Sequence, residues 1–219
     1  MRIQLEKRII VAGHYGSGKT EFALNLAFML REAGEAVTIV DLDVVNPYFR
    51  TFDAVKELEA CGIAVVAPLF ANTNVDVPAL PPQIYGVFEK PGTVIFDVGG
   101  DDDGAVALGR FNARFKEQAY DMLGVVNTRR PLTETAEEIA DGLRAIEIAA
   151  RLRLTGLVNN TNLSHETTPD VVVQSLPVVR EAAQSLGTSV RFVSVREDLA
   201  AQVHAEETLF PIRRRLKQW

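Results

Sequence analysis

The sequence predicts an α/β fold in three layers: a mostly parallel sheet covered by helices on both faces. Three observations predict it. Apolar runs of strand length alternate with longer stretches of helical pattern along the whole chain, and that order makes parallel strands joined by crossover helices. Acidic and amide residues gather where several of the apolar runs end, at Asp41, Asp43, Asp97 and Asn160. In open parallel sheets ligands sit beyond those C-terminal ends. Finally, Gly13-His14-Tyr15-Gly16-Ser17-Gly18-Lys19-Thr20 has the form G-x-x-x-x-G-K-[ST] between an apolar run and a helical stretch, the context in which this pattern is a phosphate-binding loop.

The first strand is the run Arg8-Ile9-Ile10-Val11-Ala12. After the loop, residues 21–32 read as a helix that is apolar on nearly every side, so it lies buried against the sheet. Gly34 ends it. Val37-Thr38-Ile39-Val40 is a second strand, and Asn46-Pro47 marks the loop that follows. A helix over 51–60 leads, through Gly62, to a strand over 63–66. Residues 67–82 carry four prolines and form a long loop, a feature usually tied to function in a compact domain. A short helix over 83–89 precedes the strand Thr93-Val94-Ile95-Phe96. Helical pattern resumes over 105–120, followed by a strand over 123–126 and a helix over 133–151. In that helix Thr135 and Glu138 have capping-box spacing, and Ile139, Leu143, Ile146 and Ala150 mark the apolar face. Leu157-Val158 is a strand; Pro169 starts a helix running to 186, which Pro177 is expected to kink or split. A strand over 190–195 and a helix over 197–206 complete the pattern, leaving Pro211–Trp219 as a basic surface tail.

Composition narrows the function. A chain of 219 residues suits one domain over 1–219 and buries roughly 70% of its unfolded surface. Acidic residues outnumber basic ones, 29 to 23, for a net charge of −6, so no broad nucleic-acid surface is expected. The single cysteine, Cys61, excludes an internal disulfide framework or a Cys-rich metal site and reads as a small buried residue. The N-terminus lacks the apolar core of a signal peptide, and no uncharged apolar run reaches about 18 residues. A cytoplasmic protein without membrane contact is expected.

The loop carries the chemistry. Its glycines turn backbone N–H groups towards phosphate oxygens, and the following helix adds its positive end. Lys19 reaches the outer phosphates and the Thr20 hydroxyl holds Mg²⁺. Asp97, at a strand end, is the second Mg²⁺ residue; magnesium keeps several waters and needs few protein ligands. Asp97-Val98-Gly99-Gly100 has the form D-x-x-G, in which Gly100 offers its N–H to a γ-phosphate and moves when that phosphate leaves. Asp41 and Asp43, two apart, project from one face of the strand end: Asp43 is assigned to the attacking water and Asp41 to the Mg²⁺ shell. Arg50 and the pair Arg129–Arg130 are candidates for charge stabilisation, with surface salt bridges the plainer reading. Asp101-Asp102-Asp103 reads as a solvated loop, and His165 and His204 receive no role.

Together Ile39-Val40-Asp41-Leu42-Asp43, Val94-Ile95-Phe96-Asp97, Gly156-Leu157-Val158-Asn159-Asn160 and Val195-Arg196-Glu197-Asp198 resemble the MinD/ParA group of P-loop ATPases, the SIMIBI class that includes the nitrogenase iron protein. The resemblance implies the three-layer P-loop NTPase fold, with ATP and Mg²⁺ as cofactors. It also implies that Asn160 reads the adenine edge and that Val195 and Arg196 line the base pocket. Guanine readers of this superfamily use N-K-x-D or T-K-x-D, and Asn159-Asn160-Thr161-Asn162 has neither the Lys nor the Asp. Many members carry a lysine directly after the first loop glycine that reaches across an ATP-sandwich homodimer. His14 stands there instead, and a neutral imidazole supplies no fixed charge.

The expectation is an ATPase switch that binds ATP and ADP, moves segments 44–50 and 98–104 on hydrolysis, and acts on a protein partner, with loop 67–82 in the partner surface. The alternative is an ATP-dependent small-molecule ligase or kinase resembling dethiobiotin synthetase, with the same loop covering a small carboxylate. A metal-inserting GTPase suits the G-S-G-K-T spelling but lacks the guanine motif and metal ligands.

Overall fold

A computed structural model describes residues 3–43, 52–67, 83–100 and 102–214, with the side chains of 52–54, 83, 102 and 103 left out of the description. The strands are β1 (Arg8–Ala12), β2 (Val37–Leu42), β3 (Ile63–Val66), β4 (Thr93–Val98), β5 (Asp121–Val126), β6 (Gly156–Asn159), β7 (Val190–Arg196) and β8 (Thr208–Ile212). They form one sheet in the order β3-β2-β4-β1-β5-β6-β7-β8. Every neighbouring pair is parallel, so the sheet is wholly rather than mostly parallel. The helices are α1 (Lys19–Glu32), α2 (Phe52–Ala60), α3 (Gln83–Gly86), α4 (Asp102–Gly109), α5 (Asn112–Glu117), α6 (Ala136–Ala150) and α7 (Pro169–Ser185).

Two-residue alternation divides the central strands between two cores. Ile9, Val11, Ile39 and Ile95 face Phe22 and Leu26 of α1. Ile10, Val40, Phe96 and Met122 face the other layer, which holds Phe88, Phe115 and Leu143 of α6. Both faces are covered, which is why these strands are near-continuous apolar runs. The second core is rich in aromatic pairs: Phe115 meets Phe88 and Phe96 edge-on at 5.0 Å each.

Most elements follow the sequence pattern. Thr135 caps α6 in a reciprocal box with Glu138, and Gly34 takes φ 88° after α1. Five features depart from that pattern. The stretch 105–120 is two helices, because the Gly109 carbonyl is taken by Arg151 and by the Asn112 side chain at 3.0 Å each. Pro177 does not split α7; Pro177 and Val173, whose carbonyl loses its helical partner, both lie on the exposed side where water can serve. Residues 197–202 form a 3₁₀ segment rather than a helix. The expected tail begins instead as β8, whose Pro211 is tolerated because β8 is an edge strand. Cys61 is exposed, not buried.

Candidate nucleotide-binding site

The loop from Gly13 to Gly18 leaves β1 and enters α1 at the point where the sheet ends. Gly13, Gly16 and Gly18 have φ of 151°, 76° and 88°, the region open to glycine. A Cβ added to Gly13 would lie 2.3 Å from the Val125 carbonyl oxygen of β5, and one on Gly18 2.3 Å from Asn160 Nδ2. The loop therefore hugs two neighbouring strand ends. Ser17 N donates to the His14 carbonyl at 3.2 Å, and Lys19 Nζ donates to the same oxygen at 3.1 Å, so the ammonium arches over the loop. Partial burial, then the charge of Lys19, pull the His14 pKa below its ordinary value, leaving the ring neutral at pH 7. Tyr15 is exposed at the loop's crest, and the Ser17 hydroxyl is buried with no hydrogen-bond partner among the described residues.

The carboxylates are assembled by register. Asp41 of β2 pairs with Asp97 of β4. Alternation turns both towards α1, since Ile39 and Ile95, two residues earlier, pack there. Asp97 is 2% exposed and accepts a hydrogen bond from the Thr20 side chain, while burial pushes its pKa up to about 6 against the opposing effects of Thr20 and Lys19. Its Oδ1 is buried and has no hydrogen-bond partner among the described residues. Asp41 Oδ1 accepts from Asp43 N at 2.9 Å, a local turn that fixes how Asp43 leaves the strand. Gly100 closes the ring: a Cβ there would lie 2.7 Å from Lys19 Nζ and from Tyr15 N.

These groups fit a phosphate chain and a divalent cation. A cradle of inward-turned glycine backbone, a buried lysine and an orphaned carboxylate oxygen beside a threonine hydroxyl form the donor set a hard cation with several waters requires. Among the described residues no group of three or more His, Cys, Asp or Glu is placed to hold a metal unaided. Arg50, the 44–50 segment, Asp101 and residues 68–82 lie outside the described residues.

Beside the loop opens a cavity of about 620 Å³, walled by Gly16 and Gly18, by the segment after β6, by Val195 and Arg196 of β7, and by Arg214 beyond β8. Asn160 lines it, but its Nδ2 donates to the Ser17 carbonyl at 2.7 Å. One N–H of the amide thus ties the end of β6 to the phosphate loop, leaving its second N–H and its Oδ1 to face a base. Asn162 braces the same wall, with Nδ2 on the Asn160 carbonyl at 2.7 Å and Oδ1 accepting from Ser164 N at 3.1 Å. Arg196 is held by Asp198 at 2.6 and 2.8 Å.

Several lining residues were not singled out from the sequence. His165 lines the wall despite having received no role, as do Thr161 and Arg214. Of the pair Arg129–Arg130, candidates for charge stabilisation with surface salt bridges the plainer reading, neither has an ion pair among the described residues, and Arg130 lies against Gly16. Arg214 reaches the cavity because the buried Asn25 of α1 grips the preceding residue: its Oδ1 accepts from Arg213 N and its Nδ2 donates to Arg213 O, each at 2.9 Å. Asn25→Ala would leave both backbone groups without that partner, so a loss of roughly 1–3 kcal/mol is expected. Urea denaturation checks the loss, and amide exchange should localise it to β8.

A wholly parallel sheet with a phosphate loop between β1 and α1, and acidic residues at the adjoining strand ends, defines a P-loop nucleotide-binding protein. The chain belongs to the CobQ/CobB/MinD/ParA nucleotide-binding domain family, whose model matches residues 9–167. Solved structures share the fold at low identity. Cell division protein FtsY from Thermotoga maritima is 17% identical, with TM-score 0.52 over 89% of this chain and 63% of that one. FtsY from Mycoplasma mycoides is 16% identical, with TM-score 0.57 over 89% and 62%. Chloroplast FtsY from Physcomitrella patens is 15% identical, with TM-score 0.57 over 88% and 59%. The chain thus spans about three fifths of the length of these structures. No curated protein matches it. No helix among the described residues is long and apolar enough to cross a membrane.

Proposed function

We propose that this chain, acting as one domain in the cytoplasm, binds Mg-ATP, hydrolyses its γ-phosphate and works as a conformational switch on a protein partner. The choice of nucleotide rests on Asn162. A guanine ring presents adjacent N–H donors that call for a carboxylate, and Asn162 is a neutral amide already bonded at both ends. The one carboxylate among the described lining residues, Glu21, is engaged by Asn25 Nδ2 at 3.2 Å. An adenine edge, with its ring-nitrogen acceptors, suits a wall of amide and backbone donors.

In this reading Lys19 and the loop N–H groups hold the β- and γ-phosphates, while Thr20 and Asp97, with Asp41 in the outer shell, hold Mg²⁺. An ion held by these residues would supply positive charge against the charge that develops on the phosphates. Asp43 orients the attacking water. The contact of Gly100 with Lys19 and Tyr15 supports a switch, because a γ-phosphate entering there displaces the 98–100 segment. Neutral His14 brings a hydrogen bond rather than a fixed charge to the loop mouth, so an ATP-bridged homodimer would draw its bridging charge from another residue.

Competitive displacement of a fluorescent ADP analogue by ATP and by GTP tests the nucleotide. ATP is expected to win by about tenfold or more, the cost of one mismatched buried hydrogen bond; tighter GTP binding would overturn the assignment. Hydrolysis should be slow alone. If turnover appeared only with one small carboxylate, and phosphate passed to it, the chain would be a ligase resembling dethiobiotin synthetase instead.

A further inference from the structure

Arg130 is held over the phosphate loop by a turn built for the purpose. Asn127, 1% exposed at the end of β5, accepts at Oδ1 from Arg129 N at 3.0 Å and at its carbonyl from Arg130 N at 3.2 Å. The Thr133 hydroxyl closes the turn onto the Asn127 and Arg130 carbonyls at 2.7 and 2.9 Å. Leu132 takes φ 64°, a strained conformation for a branched residue that persists only where its surroundings impose it. Asn127 and Thr128 are also tied to the opposite cavity wall, through Asn162 N at 3.3 Å and Thr161 Oγ1 at 3.1 Å. The turn is therefore a rigid mount joining the ends of β5 and β6, and its Arg130 side chain is exposed.

Position distinguishes the role of this guanidinium from a charge placed on the γ-phosphate. A Cβ added to Gly16 would lie 3.6 Å from Arg130 Nε and 3.7 Å from its Cδ, so the side chain lies along the glycine face of the loop. Gly16, Gly18 and Arg130 line the cavity read above as the nucleoside site, whereas Lys19, Gly100 and Tyr15, which meet one another, do not line it. A planar fork of N–H donors at the junction of loop and cavity matches paired non-bridging oxygens on adjacent phosphates.

We propose that Arg130 is a diphosphate clamp: it grips the α- and β-phosphates of the bound nucleoside diphosphate or triphosphate from the cavity side and so contributes to ground-state affinity. The proposal rests on the nucleotide-binding reading of the loop. The clamp gives ADP and ATP the same contact and adenosine none.

The test measures Kd for ADP, ATP and adenosine by calorimetry on wild type, Arg130→Ala, Arg130→Lys and Lys19→Ala. Arg130→Ala is expected to weaken ADP and ATP by a similar factor, roughly 10- to 100-fold, and to leave adenosine affinity within about twofold; Arg130→Lys should recover part of the loss. Thermal melts without nucleotide should coincide with wild type. Unchanged ADP affinity in Arg130→Ala while Lys19→Ala abolishes it would overturn the clamp and leave the nucleotide site standing. Unchanged affinity in both variants would overturn the site itself. A loss confined to ATP, or to kcat with ADP binding intact, would move Arg130 to the γ-phosphate and also overturn the clamp.

Discussion

Lys19→Ala is expected to lower ATP hydrolysis by roughly 100- to 1,000-fold or more, the effect of removing a positioned cation from developing transition-state charge. The structure gives the reason for the size. Lys19 is 7% exposed, so its charge acts in a poorly screened setting, and its Nζ already arches to the His14 carbonyl at 3.1 Å. A phosphate entering the loop exchanges a neutral carbonyl for an anionic oxygen with little rearrangement. The same charge lowers the pKa of Asp97, so its loss also favours the protonated carboxyl and weakens the Mg²⁺ site. Single-turnover hydrolysis with radiolabelled ATP measures the drop. Hydrolysis within tenfold of wild type would mean that the loop is not the phosphate site.

Why the sequence reveals the loop and its acids more fully than the cavity beside them follows from how each is encoded. Gly13 to Thr20 is one contiguous segment between a strand and a helix, so its geometry is set locally. Asp41 and Asp97 are 56 positions apart, yet their meeting is also foreseeable: both end apolar runs, and parallel register places strand ends together. The cavity is different. Its walls come from five separate segments, and the residues that shape them are ordinary polar ones whose roles depend on pairing. Asn160 is matched to the family by its neighbours, but its bond to the Ser17 carbonyl arises only when β6 lies two places from β1, with β5 between. Arg130 looks like any surface arginine until the Asn127 turn is seen to hold it at Gly16. Pro211 masks β8 as a tail, since a proline in a strand is informative only once the strand is known to be an edge. The short run Thr208-Leu209-Phe210 is the one signal that would have found it.

Asp97→Asn should separate stability from activity. Its carboxyl has a pKa near 6 in the fold against an ordinary 3.8. Between those values the folded chain binds more protons than the unfolded one, so stability falls as pH rises from about 4 to about 6 and levels off above. The ionised, buried carboxylate then costs on the order of 3 kcal/mol in the nucleotide-free protein. An asparagine fills the same space without the charge. The variant is therefore expected to melt higher than wild type at pH 7.5, by part of that amount, because the amide must still be satisfied beside Thr20. At pH 4, where the native carboxyl is largely protonated, that advantage should disappear. Hydrolysis in the presence of Mg²⁺ should fall by roughly 100-fold or more, since a neutral amide is a poor ligand for a hard cation. Thermal melts at both pH values and a hydrolysis assay read the three outcomes. A variant less stable than wild type at pH 7.5 would show that the buried charge is compensated already in the empty site. The pattern expected instead, a stabilised and inactive protein, assigns the strain at Asp97 to the cation it is placed to hold.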